Sequence, residues 1–89
     1  MIIISYDIKK DKLRTKFSNM LKENGAIRLQ YSVYEFVNTK RISDAFMLKI
    51  EDFAKLFTAD DSIIIVEGNA MKVRKYGNAI HRDQDVVFL

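Results

Sequence analysis

The chain has 89 residues, a length that supports one hydrophobic core and no second domain, and a domain this small leaves much surface for a partner chain to cover. It contains no cysteine, which excludes a disulfide framework and thiolate metal sites and suits a reducing cytoplasm. The net charge of +3 permits an anionic partner, and the bases are clustered: Lys9, Lys10, Lys12, Arg14, Lys16 and Lys22 face only Asp11, and Lys72, Arg74, Lys75 and Arg82 face no acid.

Residues 2–7 open with three isoleucines and then turn polar, far short of a signal-peptide core or the roughly 20 apolar residues of a membrane span. A strand is expected there, and no membrane association. Asp11 can act as N-cap of a helix whose Leu13, Phe17, Met20 and Leu21 share a face, stopped at Asn24-Gly25. Residues 26–37 alternate apolar and polar positions over more than the usual strand length, which predicts two strands with a break near Tyr31-Ser32. After Asn38-Thr39, the spacing of Ile42, Phe46, Ile50, Phe53 and Phe57 predicts a second amphipathic helix.

Asp60-Asp61-Ser62 ends that pattern, and the run Ile63-Ile64-Ile65-Val66 suits a central strand covered on both faces. A weaker strand is expected over residues 71–76 and a turn at Gly77-Asn78. The apolar end, residues 86–89, needs a sheet edge to bury it. There is no proline, repeat or linker, so residues 1–89 read as one domain. The order strand, helix, strand, strand, helix, strand is the split βαβ (ferredoxin-like) pattern of the α+β class, with an antiparallel sheet and both helices on one face. Many functions share this fold, so the function has to come from a site.

Asp7, at the end of the first strand, has two readings. It can cap the turn or pair with Lys9; alternatively, the two-fold axis of a homodimer can bring two Asp7 carboxylates together around Mg²⁺ or Mn²⁺. Such a metal would acidify a bound water and stabilise charge on a phosphodiester, making Asp7 a catalytic and metal-binding candidate. Lys9, Lys10, Lys12, Arg14 and Lys16 form either a solvated helix face or a phosphate-binding surface, with Lys12 and Lys16 on one side and Arg14 beside the strand end. Arg28, Gln30, Tyr31, Ser32 and Tyr34 mix base, amide and aromatic groups that can stack on bases, or serve as ordinary sheet packing. His81 is the lone histidine and supports neither a zinc site nor a catalytic triad. No phosphate-cradling glycine motif occurs.

The residues Ser5-Tyr6-Asp7-Ile8, Lys12-Leu13-Arg14 with Lys16, Gly25, and above all Arg28-Leu29-Gln30-Tyr31-Ser32-Val33-Tyr34-Glu35 resemble the signature of the CRISPR-associated protein 2 family. The resemblance continues through Asp61-Ser62-Ile63-Ile64-Ile65 and the tail, and the wording of residues 29–35 is similar to relatives beside type V effectors. It implies a ferredoxin-like homodimer with an extra C-terminal strand, in which residues 77–89 of one protomer add to the partner's sheet. It further implies an adaptor that bridges the CRISPR-associated integrase and holds duplex protospacer DNA. Some members are metal-dependent endonucleases for single-stranded RNA or duplex DNA; their metal aspartate falls on Asp7, and their cleft positions fall on Arg14, Lys16, Arg28 and Tyr34. Lys16 and Tyr34 depart from the family's usual arginine and phenylalanine, and lysine lacks the bidentate fork, which weighs against strong nuclease activity more than against binding. A toxin endoribonuclease of the virulence-associated protein D type is the distant third reading.

Overall fold

The computed structural model describes residues 1–69 and 72–77. Its elements are β1 (Ile2–Asp7), α1 (Asp11–Glu23), β2 (Ile27–Gln30), β3 (Val33–Phe36), α2 (Lys40–Ala54) and β4 (Ser62–Glu67). They follow the expected βαββαβ order, and the four strands form one antiparallel sheet in the order β2-β3-β1-β4, compatible with a ferredoxin-like fold. The break at Tyr31-Ser32 is where the sequence placed it, and Ser32 takes a left-handed φ of 64° to make the turn.

The alternation of β1 divides the sheet into two unlike faces. Ile2, Ile4 and Tyr6 are buried and pair in register with Phe36, Tyr34 and Ile63, the last of which is half-buried. Onto that face α1 sets the fully buried Phe17 and Leu21, and α2 sets Phe46 and Ile50. Phe36 stacks on Phe46 at 4.1 Å, and Phe17 meets Tyr6 edge-on at 4.9 Å. Each such side chain removed from water contributes roughly 1.5–3 kcal/mol, so these aromatic contacts, with Leu21 and Ile50, hold the helices on the sheet. Phe57 lies just past the end of α2, yet still packs against Phe17, which keeps it on the face the spacing predicted.

Helix ends differ in how well they match expectation. The N-cap of α1 is Lys10, with no side-chain cap, rather than Asp11. Asp11 instead sits in the first turn, where its carboxylate favours the positive end of the helix dipole and pairs with Arg14. At the other end, the Ala26 amide donates to the Leu21 carbonyl and the Gly25 amide to the Lys22 carbonyl, a Schellman closure that requires the φ of +98° at Gly25. Thr39 caps α2 by accepting from the Ile42 amide.

β4 is not a central strand: among the described residues it pairs with β1 alone and forms one edge of the sheet. Ile63 and Ile65 pack against the core, whereas Ile64 and Val66 are 64% and 56% exposed. A run of β-branched residues does not say whether its second face is covered within the chain. Residues 72–77 form no strand in this chain. Lys75 instead reaches the helix-free face, where its ammonium donates to both oxygens of the buried Glu35 carboxylate at 2.6 and 2.9 Å. The turn at Asn78, His81 and the apolar end at residues 86–89 lie outside the described residues.

Candidate nucleic-acid interface

The basic segment leaves the sheet at Asp7. Its loop is pinned by Asp61, whose carboxylate accepts from the Lys9 amide and the Thr58 amide, both at 2.9 Å. Those two donors hold the Asp61 carboxyl below the usual carboxylate range. The Lys9 ammonium lies 3.1 Å from Asp7, in a pair exposed enough to contribute little stability. One turn into α1, Arg14 folds back toward the strand: its Nη1 donates to the Ile8 carbonyl at 3.0 Å, and its Nη2 pairs with Asp11. Asp11 holds the guanidinium above its ordinary pKa and fixes its plane.

Between α1 and the β2–β3 hairpin lies a cavity of about 140 Å³. Arg14, Ser18 and Lys22 line it from the helix, because a spacing of four residues keeps them on one stripe. Arg28, Tyr31 and Tyr34 line it from the hairpin, with Tyr6 on the adjoining strand. Three cations thus converge, and no carboxylate is among the lining groups. The Arg28 guanidinium carbon sits 5.7 Å from the Tyr31 ring centre, and its Nε donates to the Gln30 carbonyl at 3.4 Å. The rings of Tyr6 and Tyr34 stack at 6.1 Å. Burial, reinforced by the neighbouring Tyr34 hydroxyl, pushes the Tyr6 phenol up to about 12. It is therefore a neutral hydroxyl at physiological pH, able to donate and unable to serve as a base.

The CRISPR associated protein Cas2 family matches over residues 1–76, which include every side chain of this cavity. The chain belongs to that family. This Cas2-family chain is also similar to the crystal structure of a hypothetical protein, TT1823, from Thermus thermophilus. The two share 29% identity and superpose with a TM-score of 0.63, covering 85% of this chain and 88% of that one. No curated protein matches the chain. Membership assigns it a CRISPR-associated role and implies partners within a CRISPR system. Among the described residues, no helix is long and apolar enough to cross a membrane.

Of the residues expected to bind nucleic acid, the fold of this Cas2-family chain brings Arg14, Arg28 and Tyr34 together in the cavity. Lys9, Lys10, Lys12 and Lys16 are exposed but do not line it. Lys16 is two positions from Arg14, about 200° around the helix, and shares its side with Lys12 instead. Ser18 and Lys22 were not foreseen as site residues, although their four-residue steps from Arg14 were readable. Asp7 follows the inward-facing Tyr6 and so belongs to the other face of the sheet, away from the cavity.

A divalent metal does not fit the residues of one chain. Asp7 is a single exposed carboxylate beside an ammonium, and the described residues hold no cluster of three His, Cys, Asp or Glu side chains.

Proposed function

We propose that this chain is a nucleic-acid-binding adaptor of spacer acquisition, a homodimer that bridges the CRISPR-associated integrase and holds duplex protospacer DNA. The observation that carries the reading is the convergence of Arg14, Lys22 and Arg28 on one cavity without a carboxylate among its lining groups. Arginine presents a planar fork to phosphate oxygens, and the Ile8 carbonyl and Asp11 already orient that of Arg14. Lys9, Lys10, Lys12 and Lys16 extend the positive surface along the loop and the helix. The Tyr34 hydroxyl, beside the neutral Tyr6 phenol, adds polar contact at the floor.

The helix-free face supports the dimer. Ile27, Ile64 and Val66 are exposed on it, and β4 offers an unpaired edge among the described residues. A second copy covers an apolar face of this kind, and the segment 77–89 is proposed to add to the partner's sheet.

Metal-dependent cleavage of DNA or single-stranded RNA is the second reading, favoured by the exposure of Asp7 on that same face. Each chain supplies one such carboxylate, so Mg²⁺ or Mn²⁺ would need Asp7 from both protomers.

One experiment separates the two readings. Integrase capture on a protospacer duplex is compared for wild type, Asp7→Ala and the Arg14→Gln/Arg28→Gln double variant, with duplex affinity followed from 50 to 200 mM salt. The adaptor reading expects Asp7→Ala to assemble as wild type does. It expects the double variant to bind more weakly at low salt, with a salt slope shallower by about one for each phosphate no longer neutralised. Loss of spacer acquisition in Asp7→Ala, with dimer and integrase complex intact, would overturn the adaptor-only view. Cleavage that survives both chelation and Asp7→Ala would overturn the nuclease reading.

A further inference from the structure

We infer that Asp61 is a positioning residue for nucleic-acid binding: it strengthens the hold on phosphate by fixing the basic loop 8–10, although its own charge repels an anion. The inference rests on the phosphate-binding reading of the basic surface. Loop 8–10 joins β1 to α1 and presents Lys9 and Lys10, both exposed. Its two ends are held locally. Ile8 is buried and its carbonyl accepts from the Arg14 side chain, and the Lys10 carbonyl accepts from the Arg14 amide at 2.9 Å. Lys9 lies between, and among the described residues its amide has one partner, the Asp61 Oδ1 at 2.9 Å, 52 positions away along the chain.

Asp61 can hold that amide because it is itself held. Its Oδ2 accepts from the Thr58 amide at 2.9 Å and from the Thr58 hydroxyl at 3.2 Å, and its own amide donates to the Thr58 carbonyl at 3.1 Å. The next residue, Ser62, opens β4 in register with Asp7, so the carboxylate reaches the loop from the paired end of the sheet. Without it, the backbone at Lys9 would be free in the unbound chain and would have to be ordered when phosphate binds, which lowers affinity. Charge alone argues the other way: an anion binds more tightly to a surface that has lost a carboxylate. The sign of the effect therefore separates position from charge. Asp60 provides the charge-matched reference, since it is adjacent and exposed and its carboxylate has no partner among the described residues.

The test uses the full chain and a blunt fluorescent DNA duplex, with affinity measured from 50 to 200 mM salt. Asp60→Ala should bind as tightly as wild type or more tightly. Asp61→Ala should bind about 5- to 30-fold more weakly, the equivalent of ordering one residue's backbone on binding. Asp61→Asn, which keeps an acceptor for one of the two amides, should fall between. In a Lys9→Gln/Lys10→Gln background, Asp61→Ala should no longer weaken binding, because the side chains it positions are gone; a general loss of fold would cost the same in both backgrounds. Amide exchange should show the Lys9 amide losing protection in Asp61→Ala while the Ile4 amide, in the middle of the sheet, keeps it. If Ile4 loses protection too, the isosteric Asp61→Asn carries the same comparison. Binding by the Asp61 variants as tight as that of Asp60→Ala, or an equal loss in the two backgrounds, overturns the inference. The underlying reading is reported separately by wild type and by Lys9→Gln/Lys10→Gln. Salt-sensitive binding that this double variant weakens and Asp61→Ala does not removes the positioning role alone, whereas a wild type with no salt-sensitive duplex binding removes the phosphate reading and the positioning role with it.

Discussion

Removing the Lys75 ammonium should destabilise this chain far more than removing any other described lysine. Its Nζ contacts both oxygens of Glu35, whose side chain is 8% exposed, against 18% for Lys75. Lys75→Met would leave a carboxylate desolvated and unpaired on the helix-free face. Breaking a fully buried pair costs about 3–5 kcal/mol, and partial access of water to Lys75 lowers the expectation to about 2–4 kcal/mol. Against a total stability of about 5–15 kcal/mol, this is a large fraction, corresponding to a fall in Tm of roughly 10–30 °C. The combined Glu35→Gln/Lys75→Met variant removes both charges and should recover most of the loss, with a coupling energy of about 1–3 kcal/mol. Urea unfolding followed by circular dichroism, repeated across protein concentrations to separate folding from association, measures all four corners of the cycle. A Lys75→Met variant within about 0.5 kcal/mol of wild type, or a strictly additive double variant, would show that residues 72–77 do not lie against Glu35 in solution.

Two further outcomes follow from the backbone and from the tyrosine pair. Gly25→Ala should lose about 1–2 kcal/mol from conformational strain alone, because φ is +98° while an added Cβ would meet its nearest atom, on Phe36, at an ordinary 3.9 Å; an unchanged Tm would mean that the helix end relaxes freely. The Tyr6 phenol, at about 12 in the folded chain against 10.0 ordinarily, favours folding fully below pH 10, and that contribution disappears as the pH rises from 10 to 12. Urea unfolding across that range should show a steeper loss of stability for wild type than for Tyr6→Phe, and equal slopes would refute the assignment.

Much of the architecture was readable from local patterns. The positions of Phe17 and Leu21 in α1, and of Phe46 and Ile50 in α2, mark the helix faces that are in fact buried. Asn24-Gly25 reads as a stop because a left-handed residue is needed there, and the hairpin break follows from a β-pattern too long for one strand. The stripe Arg14, Ser18 and Lys22 was also present in the spacing, although its meaning was not. Facing Arg28 and Tyr31 across a cavity depends on how the hairpin docks beside α1, and helical periodicity carries no information about that distance.

The position of β4 and the separation of Asp7 from the basic cavity belong to the same class of question. Alternation requires Tyr6 and Asp7 to occupy opposite faces, but only the packing of both helices on the Tyr6 side decides which face is interior. An all-apolar strand is equally consistent with a centre covered on both sides and with an edge exposing Ile64 and Val66. The sequence by itself thus determined the elements, their order and the family, because these depend on neighbours along the chain. The tertiary structure alone decided which cations share a cavity and which carboxylate stands apart, because those relations depend on contacts between residues distant in sequence.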